Sequence, residues 1–253
     1  MTDAPTEKPF FATKLATPPR LADAVSDVIA TALFDGRITP GDPLPSEGEI
    51  AREFGVSKPI AREALRQLSG VGLIQTQRGK VARATAITGE PLDRIYGYAV
   101  RSSLTRLREA NEMRHLFESG IARLASERRA EKGVQQMAKA ARAMREGLGK
   151  AEQFIEADIA FHLGMAEATG NSMIRMQGEG LRSVQREVSE LFSRRSNRTA
   201  EDWDRTVARH EALYAAIRDG NVEEAVRMID DHYKAADIAS FEVADQMETD
   251  DDD

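Results

Sequence analysis

Cysteine is absent from the 253 residues, tryptophan occurs once and histidine four times. Without cysteine there are neither disulfides nor thiolate metal sites, so any ion must be held by histidine, carboxylate or water. No stretch approaches the roughly 20 unbroken apolar residues of a membrane span. The start, Met1 to Pro19, also lacks the apolar run of a signal peptide. These absences predict a cytoplasmic protein with no membrane partner. A phosphate-binding glycine loop, an H-E-x-x-H pair and a Ser-His-Asp arrangement are missing as well, which argues against the common hydrolases and nucleotide enzymes. A hydrophobic content of 41% over this length suits two compact domains, each with its own core.

Positive charge is also scarce. The formal net charge is -7, which for a uniform chain would disfavour nucleic acid. The charge is not uniform. Residues 12 to 85 hold ten basic residues against eight acidic ones, a net +2, which leaves -9 for the rest. The run Asp250 to Asp253 closes an acidic, disordered tail over 245–253, and residues 1–11 form a disordered start. Only the first third has a balance compatible with DNA.

Within that third, Leu21, Val25, Val28, Ile29, Ala32 and Leu33 recur at helical spacing and predict an amphipathic helix ended by Gly36. The prolines of Ile38 to Pro45 forbid a helix and make a stiff connector. Ser46-Glu47-Gly48-Glu49 has the form of a capping box opening a second helix to about Phe54. After the turn residue Gly55, Ser57 caps a third helix through about Ser69, with Pro59 in its first turn. Two short helices joined by so tight a turn predict helix-turn-helix. Segments 72–76 and 81–84 flank Gln77-Arg78-Gly79-Lys80 and predict a hairpin with a basic tip, a wing. Together these give a winged helix-turn-helix of three helices and two strands over 12–85.

Lys58, Arg62 and Arg66 recur every four residues, so they share one face of the third helix. Alone, such a stripe is more often a solvated face. On a short capped helix it suits the major groove, where Arg62 can donate two bonds to a guanine edge and Ser57 can reach phosphate. Arg78 and Lys80 would reach phosphate or the minor groove, with Gly79 allowing close approach.

Ile38-Thr39-Pro40-Gly41-Asp42-Pro43-Leu44-Pro45-Ser46-Glu47, Gly55-Val56-Ser57, Arg62 to Leu68 and Gly72-Leu73-Ile74 occur in the order and at the spacing of one known signature. Over roughly residues 20 to 85 the chain resembles the GntR family of bacterial transcription regulators. The resemblance implies DNA contacts from Ser57, Lys58, Arg62, Arg78, Gly79 and Lys80, with Arg66 as a neighbour. Gly48 departs from it, standing where many members have arginine, and Pro59 and Ile60 replace commoner polar residues.

After a linker over 86–91 the sequence reads as helices only: about 92–103, 105–129, 132–148, 151–168, 172–195, 201–219 and 221–244. This predicts a mainly α protein whose second domain, 92–244, is an antiparallel helical bundle. Three of the four histidines fall in it. Asp158 and His162 sit at i and i+4 on one helix face, while His210 and His232 come from two later helices. Such a set suits zinc, and also nickel, manganese or iron(II). A lone Asp-x-x-x-His is a weak signal, since a helical histidine is more often a surface or hydrogen-bonded core residue. His115 reads as a plain surface residue.

Met113 to Glu118 with Ala122 to Ala125, Asp158-Ile159-Ala160-Phe161-His162 with Thr169-Gly170-Asn171, and His210 with His232 resemble the FCD ligand-binding domain of the FadR subfamily of those regulators. The resemblance implies a metal at Asp158, His162, His210 and His232 that receives a small carboxylate effector, with Arg114 as a guanidinium partner and Asn171 as a further contact. For Arg114 the alternative is an ion pair with Glu118 at i+4, and for Asn171 it is helix capping. The function implied is a homodimeric regulator, a repressor in the commoner sense, that binds a pseudo-palindromic operator in double-stranded DNA and is reset by its effector. A metalloenzyme using the same four ligands is the rival, and it lacks an acidic residue evidently placed as a general base.

Overall fold

The computed structural model describes residues 20–76, 80–194 and 198–235. The predicted tails over 1–11 and 245–253 lie outside them, as do Arg78 and Gly79 of the wing tip. The chain divides into two compact units between Ile87 and Thr88.

The first unit has three helices, α1 (Arg20–Phe34), α2 (Glu47–Glu53) and α3 (Lys58–Gly70), and two strands, β1 (Ile74–Gln75) and β2 (Arg83–Ala84). The capping box forms as its sequence requires: Glu49 N donates to Ser46 Oγ at 3.3 Å, and Ser46 N donates to Glu49 Oε2 at 2.8 Å. Gly55 turns the chain at φ +65°, a backbone conformation glycine adopts without strain. β1 and β2 pair antiparallel, Ile74 opposite Ala84 and Gln75 opposite Arg83. The proline-rich connector is more than a spacer. Gly41 N and Leu44 N donate to Ala84 O and Ala82 O, both at 2.8 Å, so it lies along the outer edge of β2. The core joins Val25, Ile29, Ile50, Ala61, Ala64, Leu65, Leu68 and Ile74. The phase expected for α1 is corrected here: Leu21 and Val28 are exposed, while Ala22 and Ser26 are buried beside Val25 and Ile29.

The second unit is helical throughout its described residues: α4 (Glu90–Val100), α5 (Leu104–Arg128), α6 (Glu131–Glu146), α7 (Ala151–Ala168), α8 (Ser172–Gly180), α9 (Arg182–Ser193), α10 (Ala200–Asp219) and α11 over 222–235. Buried Met137, Met144, Phe154, Phe161, Met165, Val207, Ile217 and Ile229 make its main core. The helix expected over 172–195 is two helices broken at Leu181. Gly178 and Gly180 weaken the helix there, and each sits against a neighbour. A Cβ on Gly180 would lie 2.8 Å from Leu92 Cβ, and one on Gly178 3.0 Å from Ala166 Cβ. The break re-aims α9 so that Val184, Gln185, Val188 and Ser189 turn inward. Part of the expected linker is anchored: Gly89 is buried at the N-cap of α4, and its N–H donates to Glu179 Oε2 at 2.8 Å.

Candidate functional site

The exposed face of the first unit carries the basic stripe. Lys58, Arg62 and Arg66 are all exposed along α3, and Lys80 is exposed beyond β1. Ser57 occupies the N-cap, yet its side chain makes no capping bond, so its hydroxyl stays available to another acceptor or donor. Arg62 forms a two-pronged pair with Glu47, Nε to Oε1 and Nη2 to Oε2 both at 2.9 Å, and Arg66 pairs with Glu63 at 2.8 Å. Pairs this exposed contribute little and are readily exchanged for phosphate or a base edge. The Lys58 side chain lies over Gly48, whose added Cβ would stand 3.5 Å from Lys58 Cε. The space a longer residue would take at Gly48 is thus shared with that lysine.

The second unit brings the four sequence-predicted metal residues together. One nitrogen from each of His162, His210 and His232 falls within 4.8 Å of the others. Asp158 Oδ1 stands 2.9 Å from His210 Nε2 and 3.7 Å from His162 Nε2. The surroundings fix which nitrogen each ring presents. His210 Nδ1 donates to Thr206 O at 2.8 Å, and Glu118 Oε2 lies 2.6 Å from His162 Nδ1. Each ring then turns Nε2 inward, and both Nε2 atoms are buried with no hydrogen-bond partner. Buried, orphaned imidazole nitrogens beside a carboxylate are what a divalent cation needs, and a carboxylate behind a ligating histidine is the usual outer partner. The residues fit the ion.

Electrostatics agree. Burial would raise the Asp158 carboxyl, but His210, His162 and His232 hold it far below the ordinary carboxylate range. Burial would likewise raise Glu118, yet His162 and Arg114 bring it down to about 2. Burial, reinforced by His210 and His162, pushes His232 well below its usual 6.5, so it is neutral and ready to bind a metal. In the metal-free protein these shifts share one sign. His232 binds a proton more readily unfolded than folded, so its contribution is complete above about pH 6.5 and is lost as the pH falls below that. Glu118 adds to the loss between 4.5, its unfolded value, and about 2. The urea midpoint of chelated protein should therefore fall from pH 7.5 to pH 5. An unchanged midpoint would mean that His232 is not held neutral.

Arg114 is fully buried on α5. Its Nη1 donates to Asn111 Oδ1 at 3.1 Å and its Nη2 to Glu118 Oε1 at 3.3 Å, so the ion pair raised as an alternative exists. It also lines a narrow cavity of about 30 Å³ together with Asp158, His210, His232, Gln185, Ser189 and Arg209. Asn171 takes the capping alternative: its Oδ1 accepts from Met173 N at 2.9 Å and Ile174 N at 3.3 Å at the start of α8, and it is not among the residues lining that cavity. His115 is corrected. It is half-buried, its Nε2 2.8 Å from Asp230 Oδ1 and its ring stacked on Tyr233 at 4.6 Å. Sequence reasoning gave no role at the site to Asn111, Gln185, Ser189 or Arg209. Asn111, Arg114 and Glu118 do follow at i, i+3 and i+7, one polar face of α5, and that spacing was the available signal.

A winged helix-turn-helix followed by a helical bundle with a histidine cluster is the architecture of a two-domain DNA-binding regulator. Residues 21–83 match the model of the bacterial regulatory proteins of the gntR family, and residues 109–235 match the FCD domain. The chain belongs to the GntR family, with an FCD domain as its second part, and is a transcriptional regulator of that type and not an enzyme. It is 28% identical over 223 residues to the HTH-type transcriptional repressor NanR of Klebsiella aerogenes, covering 85% of this chain and 84% of the relative. It is 29% identical over 214 residues to the galactonate operon transcriptional repressor of Escherichia coli, covering 80% and 90%. It is 28% identical over 199 residues to the HTH-type transcriptional regulator LutR of Bacillus subtilis, covering 76% and 88%. The solved structure of Streptococcus agalactiae GntR aligns with a TM-score of 0.66 at 20% identity, over 85% of this chain and 98% of that one, and shares its fold. Among the described residues no helix is long and apolar enough to cross a membrane.

Proposed function

We propose that the protein is a metabolite-responsive repressor that binds a pseudo-palindromic operator as a homodimer and is released by a small carboxylate held at a metal in the FCD domain. The observation that carries the sensing half is the cluster of three imidazoles from α7, α10 and α11, with Asp158 2.9 Å from that of His210. Zinc is the ion best suited to three histidines and one aspartate, with nickel, manganese and iron(II) as competitors. Bound there, it would supply a positive charge and open coordination positions for a carboxylate. Arg114 would orient that carboxylate by paired hydrogen bonds, while Glu118 keeps His162 in its binding tautomer. The Escherichia coli relative is a repressor of a galactonate operon, and galactonate is a carboxylate. That supports the effector class.

Dimerisation is supported by an apolar surface on the second unit. Leu116 is 75% exposed and Phe117 46% exposed on α5, and Ile95 and Tyr98 are exposed on α4. Exposed large apolar side chains of this kind are what an interface between two copies would cover. In the DNA-reading half, Ser57, Lys58, Arg62, Arg66 and Lys80, with Arg78 and Gly79, form the contact set, Arg62 reading a base and the wing holding backbone.

Selection of binding duplexes from a random pool with zinc-loaded protein tests the whole reading. It should return two inverted half-sites about one or two helical turns apart, and a bound carboxylate should weaken the complex. An enriched single half-site, or no enriched sequence, would remove the dimeric operator. On the selected duplex, Arg62→Ala should weaken binding by about tenfold or more while leaving affinity for random DNA nearly unchanged. Equal losses on both would reassign Arg62 to phosphate contact.

A further inference from the structure

Arg209 immediately precedes the metal residue His210 on α10, and both line the same cavity. Three arginines of α5, α6 and α10 have carboxylate partners: Arg114 meets Glu118, Arg145 meets Glu211, and Arg205 meets Asp202. Arg209 has none within ion-pair distance among the described residues. Its one hydrogen bond is a long one, Nη2 to Thr206 Oγ1 at 3.5 Å, and its Nε is buried without a partner. From α9, two further groups face the cavity unsatisfied: Ser189 Oγ and Gln185 Oε1, on side chains 4% and 5% exposed. Gln185 is held in place because its Nε2 donates to Asp158 Oδ2. Buried polar atoms without partners are costly, and three on one cavity wall imply a ligand that completes them.

We propose that the effector is a hydroxy-dicarboxylate. This rests on the reading above for its first carboxylate, at the metal and Arg114. Its second carboxylate pairs with the guanidinium of Arg209, and its hydroxyl lies between Ser189 and Gln185, donating to Gln185 Oε1. A diacid would widen this narrow cavity on entering; a monoacid would leave the half-buried Arg209 to water, whereas a second acid group gives it a counter-charge through charge-assisted bonds.

The test uses the zinc-loaded full chain and matched acids: malate against 2-hydroxybutyrate, and 2-hydroxyglutarate against 2-hydroxyvalerate, each titrated by calorimetry. At least one diacid should bind about tenfold tighter or more than its monoacid partner. Arg209→Gln should collapse that ratio toward one, and Arg209→Lys should restore part of it, with zinc stoichiometry read alongside. Equal binding of diacid and monoacid, a ratio unmoved by Arg209→Gln, or no diacid bound would each overturn the proposal. If the monoacids bind, and lose that binding in a His162→Ala protein, the metal-carboxylate reading stands while the second acid group falls. If none of the acids binds and zinc is not retained, both fall.

Discussion

A His210→Ala protein is expected to lose its metal, with zinc affinity reduced by roughly 100- to 1,000-fold. Binding of structural zinc by four ligands is worth on the order of 10 to 16 kcal/mol, so one ligand accounts for about 3 kcal/mol, and each 1.4 kcal/mol is about a factor of ten. His210 is 1% exposed, its Nδ1 is tied to Thr206 O, and its Nε2 is buried without a hydrogen-bond partner 2.9 Å from Asp158 Oδ1, so little rearrangement separates it from binding. Removing it also takes away the imidazole nearest Asp158 and leaves a hole beside Phe161, whose ring packs edge-on against the imidazole at 4.9 Å. A companion that keeps every proposed ligand is therefore needed. Glu118→Gln changes the carboxylate behind His162 and beside Arg114, and it should lower affinity by about 10- to 100-fold, read on protein whose urea midpoint shows it folded. Competition against a chromophoric chelator reads both. Wild-type affinity in His210→Ala would remove the site. An unchanged Glu118→Gln would leave the ligands and dismiss the role given to the outer carboxylate.

The four residues proposed as ligands could be picked out in the sequence because histidine is scarce and Asp158 and His162 fall at i and i+4, a spacing that fixes a shared face whatever the helix packs on. The capping box of α2 and the turn at Gly55 were legible for a similar reason, since both are local chemistry. What escaped depended on rotation and on partners distant in the chain. Leu21 and Val28 share helical spacing with Val25 and Ile29 but face solvent, because the packed face of α1 is chosen by α3. The polar face of α5 looks solvated in sequence, and only burial beneath α7 and α11 turns Asn111, Arg114 and Glu118 into supports of the site. Gln185 and Ser189 reach the cavity because α9 starts afresh after Leu181, a break that Gly178 and Gly180 permit but do not by themselves dictate. Asn171 shows the opposite case: its place in a motif suggested a ligand contact, while the capping role open to its residue type is the one its local geometry displays.

Gly133→Val is expected to cost the fold more than the roughly 1 to 3 kcal/mol usual for overpacking, and even Gly133→Ala should be destabilising. In an open helix position the replacement of glycine by alanine is favourable by up to about 1 kcal/mol. Here a Cβ would fall 2.0 Å from Ala168 N, 2.4 Å from Ala168 Cα and 2.6 Å from the Glu167 carbonyl carbon. All three are backbone atoms at the end of α7, so no side chain can swing aside and the helices themselves must part. The same pair is closely packed one turn further along, at Gly164, where a Cβ would stand 2.9 Å from Met137 N, so the separation cannot be absorbed within the next turn. Between them lie Met137, Phe161 and Met165, each fully buried, and parting α6 from α7 exposes them. Because α7 also carries Asp158 and His162, the loss should appear twice: as a lower urea midpoint in chelator and as weaker zinc binding. Gly120→Ala is the control, since Gly120 lies on α5 with nothing within 4 Å of its added Cβ, and that protein should match or exceed the parent. If Gly133→Ala proves as stable as Gly120→Ala, the backbone contact between α6 and α7 is looser than described, and the rigidity assigned to the metal ligands on α7 goes with it.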